Sequence, residues 1–83
     1  MFQNYPNPFN PATKIKYSVS SNQIVSLKVY DILGSEITML VSEYQVPGDY
    51  EVTWDASGFP SGVYFYKLQS GDFTAIKKMI LLK

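Results

Sequence analysis

From Thr13 onward the chain alternates apolar and polar residues with a period of two, interrupted at short intervals by Gly, Pro, Asn and Asp. That is the signature of half-buried strands joined by turns, and no helical period competes with it. Ile15, Tyr17 and Val19 share one face of residues 13–20, with Lys14, Lys16 and Ser18 on the other. The run Ile24–Tyr30 turns Val25, Leu27 and Val29 inward. Asp31-Ile32-Leu33-Gly34 supplies a turn, with Asp at its first position and Gly at its fourth. A third strand is predicted over Glu36–Val41, with Ile37, Met39 and Val41 in phase, followed by a loop over Gln45–Asp49 around Pro47-Gly48. Tyr50, Val52 and Trp54 define the inward face of a fourth strand, and Asp55–Gly62 a long turn. Val63–Gln69 is a dense β segment, Ser70-Gly71-Asp72 a hairpin turn, and Phe73 to Leu82 the last strand.

The first twelve residues are different in kind. Asn4-Tyr5-Pro6-Asn7-Pro8-Phe9-Asn10-Pro11 has three prolines in six positions, which fix φ and remove backbone donors. Such a segment cannot be a central strand. It is suited to an edge strand or a tether across the open end of a sandwich, with Phe9 as its apolar anchor. Counting it, seven extended elements at short spacing predict an all-β, Ig-like antiparallel β-sandwich, since no crossover helix is available for parallel pairing.

Composition narrows the function classes. Eighty-three residues make one domain, and a chain of this size buries only about 60% of its unfolded surface. Seven Tyr, five Phe and one Trp give it the buried area per residue that a thin core needs. Without Cys there is no disulfide framework or thiolate metal site. Net charge is zero and Arg is absent, which argues against nucleic acid as a partner. No run of about 18 apolar residues encodes a transmembrane segment.

Catalysis is disfavoured on the same grounds. The absence of His and Cys removes Ser-His-Asp, Cys-His and His-based metal chemistry. Asp49, Glu51, Thr53 and Asp55 fall on one strand face opposite Tyr50, Val52 and Trp54, where a solvated polar face is the expectation. Asp31, Asp55 and Asp72 each sit at a turn, and none has the ligand density that Ca²⁺ needs. Aspartates there cap their own backbone more often than they bind metal. No cofactor is expected. Tyr30, Val63 and Phe65 fall out of phase with the inward set. They are either exposed or, as expected of a Tyr-rich small domain, packed under loops or at a sheet edge. A carbohydrate-binding module would present a coplanar row of aromatics, which the sequence does not spell out.

The C-terminal run Ile76-Lys77-Lys78-Met79-Ile80-Leu81-Leu82-Lys83 breaks the pattern. Both faces of the strand are apolar from Met79 to Leu82, and Lys77-Lys78 puts a charge on each face. A central strand buried on both sides, a bulge at Lys77-Lys78, and a recognition strip covered by a partner would each read this way.

Five motifs then stand in register. They are the Asn-Pro segment (Asn4, Pro6, Asn7, Pro8, Phe9, Asn10, Pro11), Val29-Tyr30-Asp31-x-x-Gly34, Val52-x-Trp54-Asp55, Ser61-Gly62-Val63-Tyr64-Phe65-Tyr66-Lys67-Leu68 and Lys77–Lys83. Together they resemble the type IX secretion system C-terminal sorting domain, type A, over essentially the whole chain. A less complete resemblance, in Tyr-Asp-x-x-Gly and Trp-Asp, is to the Ig-like assembly domain of flagellar hook-capping proteins.

The first resemblance implies a non-catalytic export signal on a larger secreted or cell-surface protein of a Gram-negative bacterium. Its passenger, N-terminal to residues 1–83, would cross the periplasm, meet an outer-membrane translocon and encounter a sortase-like peptidase. Residues 1–12 would be a leading segment and 13–83 the sandwich body. Met1-Phe2-Gln3-Asn4 lacks the features of a signal peptide, consistent with an excised C-terminal piece. The recognition positions implied are Gly62, Tyr64, Lys67, Gly71, Lys77, Lys78, Met79, Ile80, Leu81, Leu82 and Lys83.

Overall fold

The computed structural model describes residues 1–83. Its strands are β1 (Ala12–Val19), β2 (Gln23–Tyr30), β3 (Glu36–Gln45), β4 (Gly48–Asp55), β5 (Gly62–Ser70) and β6 (Phe73–Leu81). They form two sheets, β1-β4 and β3-β2-β5-β6, in which every strand pairing is antiparallel. The β-sandwich is as expected, with six strands rather than seven. The proline segment makes only isolated bridges, Tyr5 to Lys14 and Phe9 to Leu81. Residues without N–H groups cannot carry a continuous ladder.

The inward sets of β1 and β2 lie where the alternation put them. Ile15, Tyr17 and Val19 meet Val25, Leu27 and Val29, and Thr13 joins the same buried face. Trp54, Tyr64, Tyr66, Leu68, Met79 and Leu81 complete the core from the other strands. Strand β3 departs from its predicted phase. Leu27 pairs with Val41 but Lys28 pairs with Met39, so Leu40 is an extra residue in a bulge. The shift sends Met39 out to 50% exposure and packs Leu40 against the core beside Ile37 and Val41. Strand β3 also runs on to Gln45, four residues past its predicted end, with Gln45 pairing with Gln23. The buried Gln45 amide oxygen there accepts the Tyr17 hydroxyl at 2.9 Å, which satisfies both polar groups.

The turns follow local chemistry. Asp31 Oδ1 accepts the N–H groups of Leu33 and Ser35, at 2.9 and 3.0 Å, and Gly34 takes φ 85° to close the turn. Asp55 Oδ1 accepts the Ser57 N–H in the same way. At the β5–β6 hairpin Gly71 adopts φ 61°, and a Cβ there would collide with the Gln23 side-chain amide.

Strand β6 is an edge strand with no bulge. Its register against β5 is unbroken from Ser70–Phe73 to Gly62–Leu81. Alternation therefore holds through the double lysine. Ala75, Lys77, Met79 and Leu81 face the core side, and Thr74, Ile76, Lys78, Ile80 and Leu82 the outside. The apolar residues on both faces arise because the outer face of this sheet is itself apolar along part of its length. Tyr30, Val63 and Phe65 sit on that face, half-buried, on the two central strands rather than under loops or at an edge.

Candidate functional site

The leading segment docks by its own polar side chains. Asn4 is 2% exposed, and its amide nitrogen donates to Thr13 Oγ1 at 3.0 Å and to the Pro6 carbonyl at 3.1 Å. The Asn4 N–H donates to the Tyr66 hydroxyl at 2.8 Å, and that hydroxyl donates to the Phe2 carbonyl at 3.0 Å. The segment bends at Pro6–Pro8 between its bridges at Tyr5 and Phe9, and so passes from one sheet to the other. Phe2 and Tyr5 bond to Lys16 and Lys14 along the free edge of β1. Phe9 then lies parallel to the end of β6, donating to the Ile80 carbonyl and accepting from the Leu82 N–H, both at 2.9 Å. Asn7 Oδ1 accepts the Ile80 N–H at 3.0 Å, and Gln3 Nε2 donates to the Lys78 carbonyl at 2.8 Å. One segment thus closes one open side of the sandwich and covers the edge of Lys78–Leu82. An uncovered edge there would be a template for unwanted pairing.

The implied recognition residues divide into two groups. Tyr64 is 4% exposed, and Met79 and Leu81 are fully buried, so their side chains build the core. Tyr64 stands near the start of β5, and its hydroxyl donates to the Pro60 carbonyl at 2.6 Å, the tyrosine-corner arrangement of Ig-like sandwiches. Gly62 opens β5 opposite Leu81, and Gly71 forms the hairpin tip. The accessible group comprises Lys78, Leu82 and Lys83, with Lys67, Lys77 and Ile80 half-buried. All of these lie on β5, β6 or the residues just after β6. Lys83 is tied back, its ammonium donating to the Ser57 carbonyl at 2.7 Å and its N–H to Ser61 Oγ. Lys67 lies over the Tyr30 ring, 5.4 Å from the centroid. Lys14, Lys16 and Lys28 are ion-paired with Glu51 or Glu36, whereas Lys67, Lys77 and Lys78 have no carboxylate within salt-bridge distance.

Sequence reasoning placed Asn4 in the leading motif without its role as a buried hub, and overlooked Thr13 as its partner. The signal was present: Thr13 continues the period of Ile15, Tyr17 and Val19 one step back. Gln45 falls in a predicted loop, and nothing in the sequence marks it as the partner of Tyr17. No group of three or more His, Cys, Asp or Glu side chains comes together to hold a metal. No helix is long and apolar enough to cross a membrane.

Three buried hydroxyls give the fold an alkaline limit. Burial pushes Tyr17, Tyr64 and Tyr66 above the usual Tyr value, because the phenolate would lose its hydration. Above about pH 10, the ordinary Tyr value, the unfolded chain gives up these protons before the folded one. It then holds fewer protons than the folded chain, so stability falls as pH rises. Melting temperatures from pH 8 to 11 should hold steady up to about pH 10 and fall beyond it. Replacing Tyr66 with Phe should remove part of that fall. An unchanged melting temperature across the range would mean that these hydroxyls ionise as freely as in the unfolded chain.

The fold recurs among solved structures. One is PorZ, described as an essential bacterial surface component of the type-IX secretion system of Porphyromonas gingivalis, with TM-score 0.65 and 20% identity. The match covers 98% of this chain and 11% of that one, so the chain spans about a ninth of the length of PorZ. No curated protein matches in sequence. The family model described as secretion system C-terminal sorting domain matches residues 3–82, from the docked leading segment to the end of the last strand. The chain belongs to that family of sorting domains.

Proposed function

We propose that this chain is a non-catalytic export signal, read in its folded form by the type IX outer-membrane translocon on behalf of an N-terminal passenger. The observation that carries this reading is the family match over residues 3–82. The passenger reaches the cell surface or the medium of a Gram-negative bacterium by way of the periplasm. A sortase-like peptidase outside the cell then removes the domain at a point upstream of or near the Asn-Pro segment. The accessible residues of the recognition set, Lys67, Lys77, Lys78, Ile80, Leu82 and Lys83, carry the information that is read. Tyr64, Met79 and Leu81 act by holding the strands that present them.

The test is export of a fluorescent passenger fused ahead of the domain, in a host with the type IX machinery. The unaltered domain should deliver the passenger outside the cell. Lys77→Ala with Lys78→Ala should keep the fold, with a cost within about ±0.5 kcal/mol at the exposed Lys78 and somewhat more at the half-buried Lys77, whose stem packs on the core side. It should lower the exported fraction well below that of the parent. Circular dichroism on the same variant separates misfolding from misreading. Normal export of the folded double variant would take the lysines out of the signal. Failure of the intact domain to export its passenger would remove the sorting reading and favour an assembly module of the hook-capping kind.

A further inference from the structure

The edge of β6 is covered over only half its length. Residues Lys78–Leu82 are engaged by Gln3, Asn7 and Phe9. The unbroken register with β5 means that outward-pointing backbone groups recur at every second residue, so those of Thr74 and Ile76 also face away from β5. No other strand adjoins them, and neither residue appears among the hydrogen bonds made outside the strand ladders. Beside this free stretch, on the outer face of the sheet, lies a shallow groove of about 350 Å³ lined by Tyr30, Gly34, Phe65, Lys67 and Ile76. Ile76 is 62% exposed, so an apolar side chain stands at the mouth of an apolar groove.

Charge sets this edge apart. Lys67, Lys77 and Lys78, the strand lysines without a carboxylate partner, all stand on β5 and β6. The other strand edges left open belong to β3 and β4, which carry Glu36 and Glu43, and Asp49, Glu51 and Asp55. A partner strand added at β6 therefore meets uncompensated ammonium groups, and one added at β3 or β4 meets carboxylates.

We propose that the free stretch Phe73–Lys77 of β6, with the Tyr30-Phe65-Ile76 groove and the Lys67 and Lys78 ammonium groups, docks an extended partner segment that carries apolar and acidic residues two positions apart, on the one face turned to the groove. This deepens the export reading and rests on it for the partner's identity, though not for its chemistry. The segment pairs its main chain with Thr74 and Ile76, sets an apolar side chain in the groove, and brings carboxylates to Lys67 and Lys78. Main-chain pairing supplies affinity, and the alternating side chains supply selectivity. The leading segment fixes the register by blocking further pairing beyond Lys78.

The probe is a short fluorescein-labelled peptide repeating Glu-Thr-Val-Thr, which sets Glu and Val on one strand face, followed by anisotropy and by amide shifts in ¹⁵N-labelled protein. The peptide should bind, shift the Thr74 and Ile76 amides and slow their exchange, and lose affinity with added salt. Lys67→Glu with Lys78→Glu should weaken it by roughly tenfold or more, with the amide spectrum otherwise retained. N-methylation of alternate peptide bonds should abolish binding while keeping the charges. Equal binding by the same peptide with Lys in place of Glu, shifts confined to other strands, or no binding would overturn the proposal. So would concentration-dependent shifts at the same amides without peptide, which would make a second copy the occupant. Running the reversed variant through the export assay separates the two readings. Normal binding with no export by the parent domain defeats the export reading alone, and export without peptide binding defeats the docking surface alone.

Discussion

Trp54→Ala should destabilise the domain by about 3–5 kcal/mol, as removal of a large buried aromatic does when the cavity cannot collapse. Trp54 is 3% exposed. Its ring packs against Phe9 at 5.7 Å, Phe59 at 5.6 Å and Tyr64 at 5.4 Å, all tilted or edge-on. Such pairs each contribute about 0.5–1.5 kcal/mol beyond burial. These neighbours come from the leading segment, the long turn and β5, so the indole ties together parts of the chain far apart in sequence. A domain of this size has a total stability of about 4–12 kcal/mol at the usual figure per residue. The variant should therefore be partly or wholly unfolded at growth temperature. Urea melts of parent and variant measure the difference directly, and a loss below about 1 kcal/mol, the range of surface changes, would place Trp54 outside the core.

That environment was only partly legible in the sequence. The alternation Tyr50, Val52, Trp54 turns the indole inward but does not name what it meets. Tyr50 stacks on Tyr17 at 5.5 Å, its cross-strand partner in the β1–β4 pair, whereas Phe9 and Phe59, which belong to no strand, pack beside Trp54. Periodicity says which face of a strand a residue occupies. It does not say which strand lies opposite, because that depends on sheet order. The same limit explains β3. Its composition marked a strand, but a bulge is a one-residue event with no Gly or Pro to announce it here, and it reversed the placement of Met39 and Leu40.

The candidate site shows a second limit. The C-terminal run stood out because it is apolar on both faces, and the structure accounts for each face separately. Met79 and Leu81 fill the core, while Ile76 and Ile80 belong to an outer face that already carries Tyr30, Val63 and Phe65. Motif likeness nominated all these positions together, without separating side chains that hold the strand from side chains that a partner can touch. Burial makes that separation. It also shows that the two ends of the chain form one unit, a pairing between positions some seventy residues apart that no local pattern encodes.

Phe9→Ala tests that union. Phe9 is 2% exposed and is the one fully buried apolar anchor of a segment held otherwise by hydrogen bonds and the partly buried Met1. Truncating it should cost about 3–5 kcal/mol, comparable with the loss at Trp54, since the two rings share one contact. For the same reason the double variant should lose less than the sum of the two single losses. Phe2→Ala, at a ring 62% exposed, should stay within about ±0.5 kcal/mol. The local signature is hydrogen exchange at Ile80 and Leu82, whose N–H groups are bonded to Asn7 and Phe9 in the parent. Both should exchange faster in Phe9→Ala by more than the global loss of stability accounts for, because the leading segment opens ahead of the sandwich. With the rest of the β6 edge uncovered, the variant should also self-associate more readily than the parent, as an unpaired edge invites pairing between copies. Unchanged protection at Ile80 and Leu82, with the full stability loss, would mean that Phe9 serves the core alone and that Asn4 and Asn7 suffice to hold the cover in place.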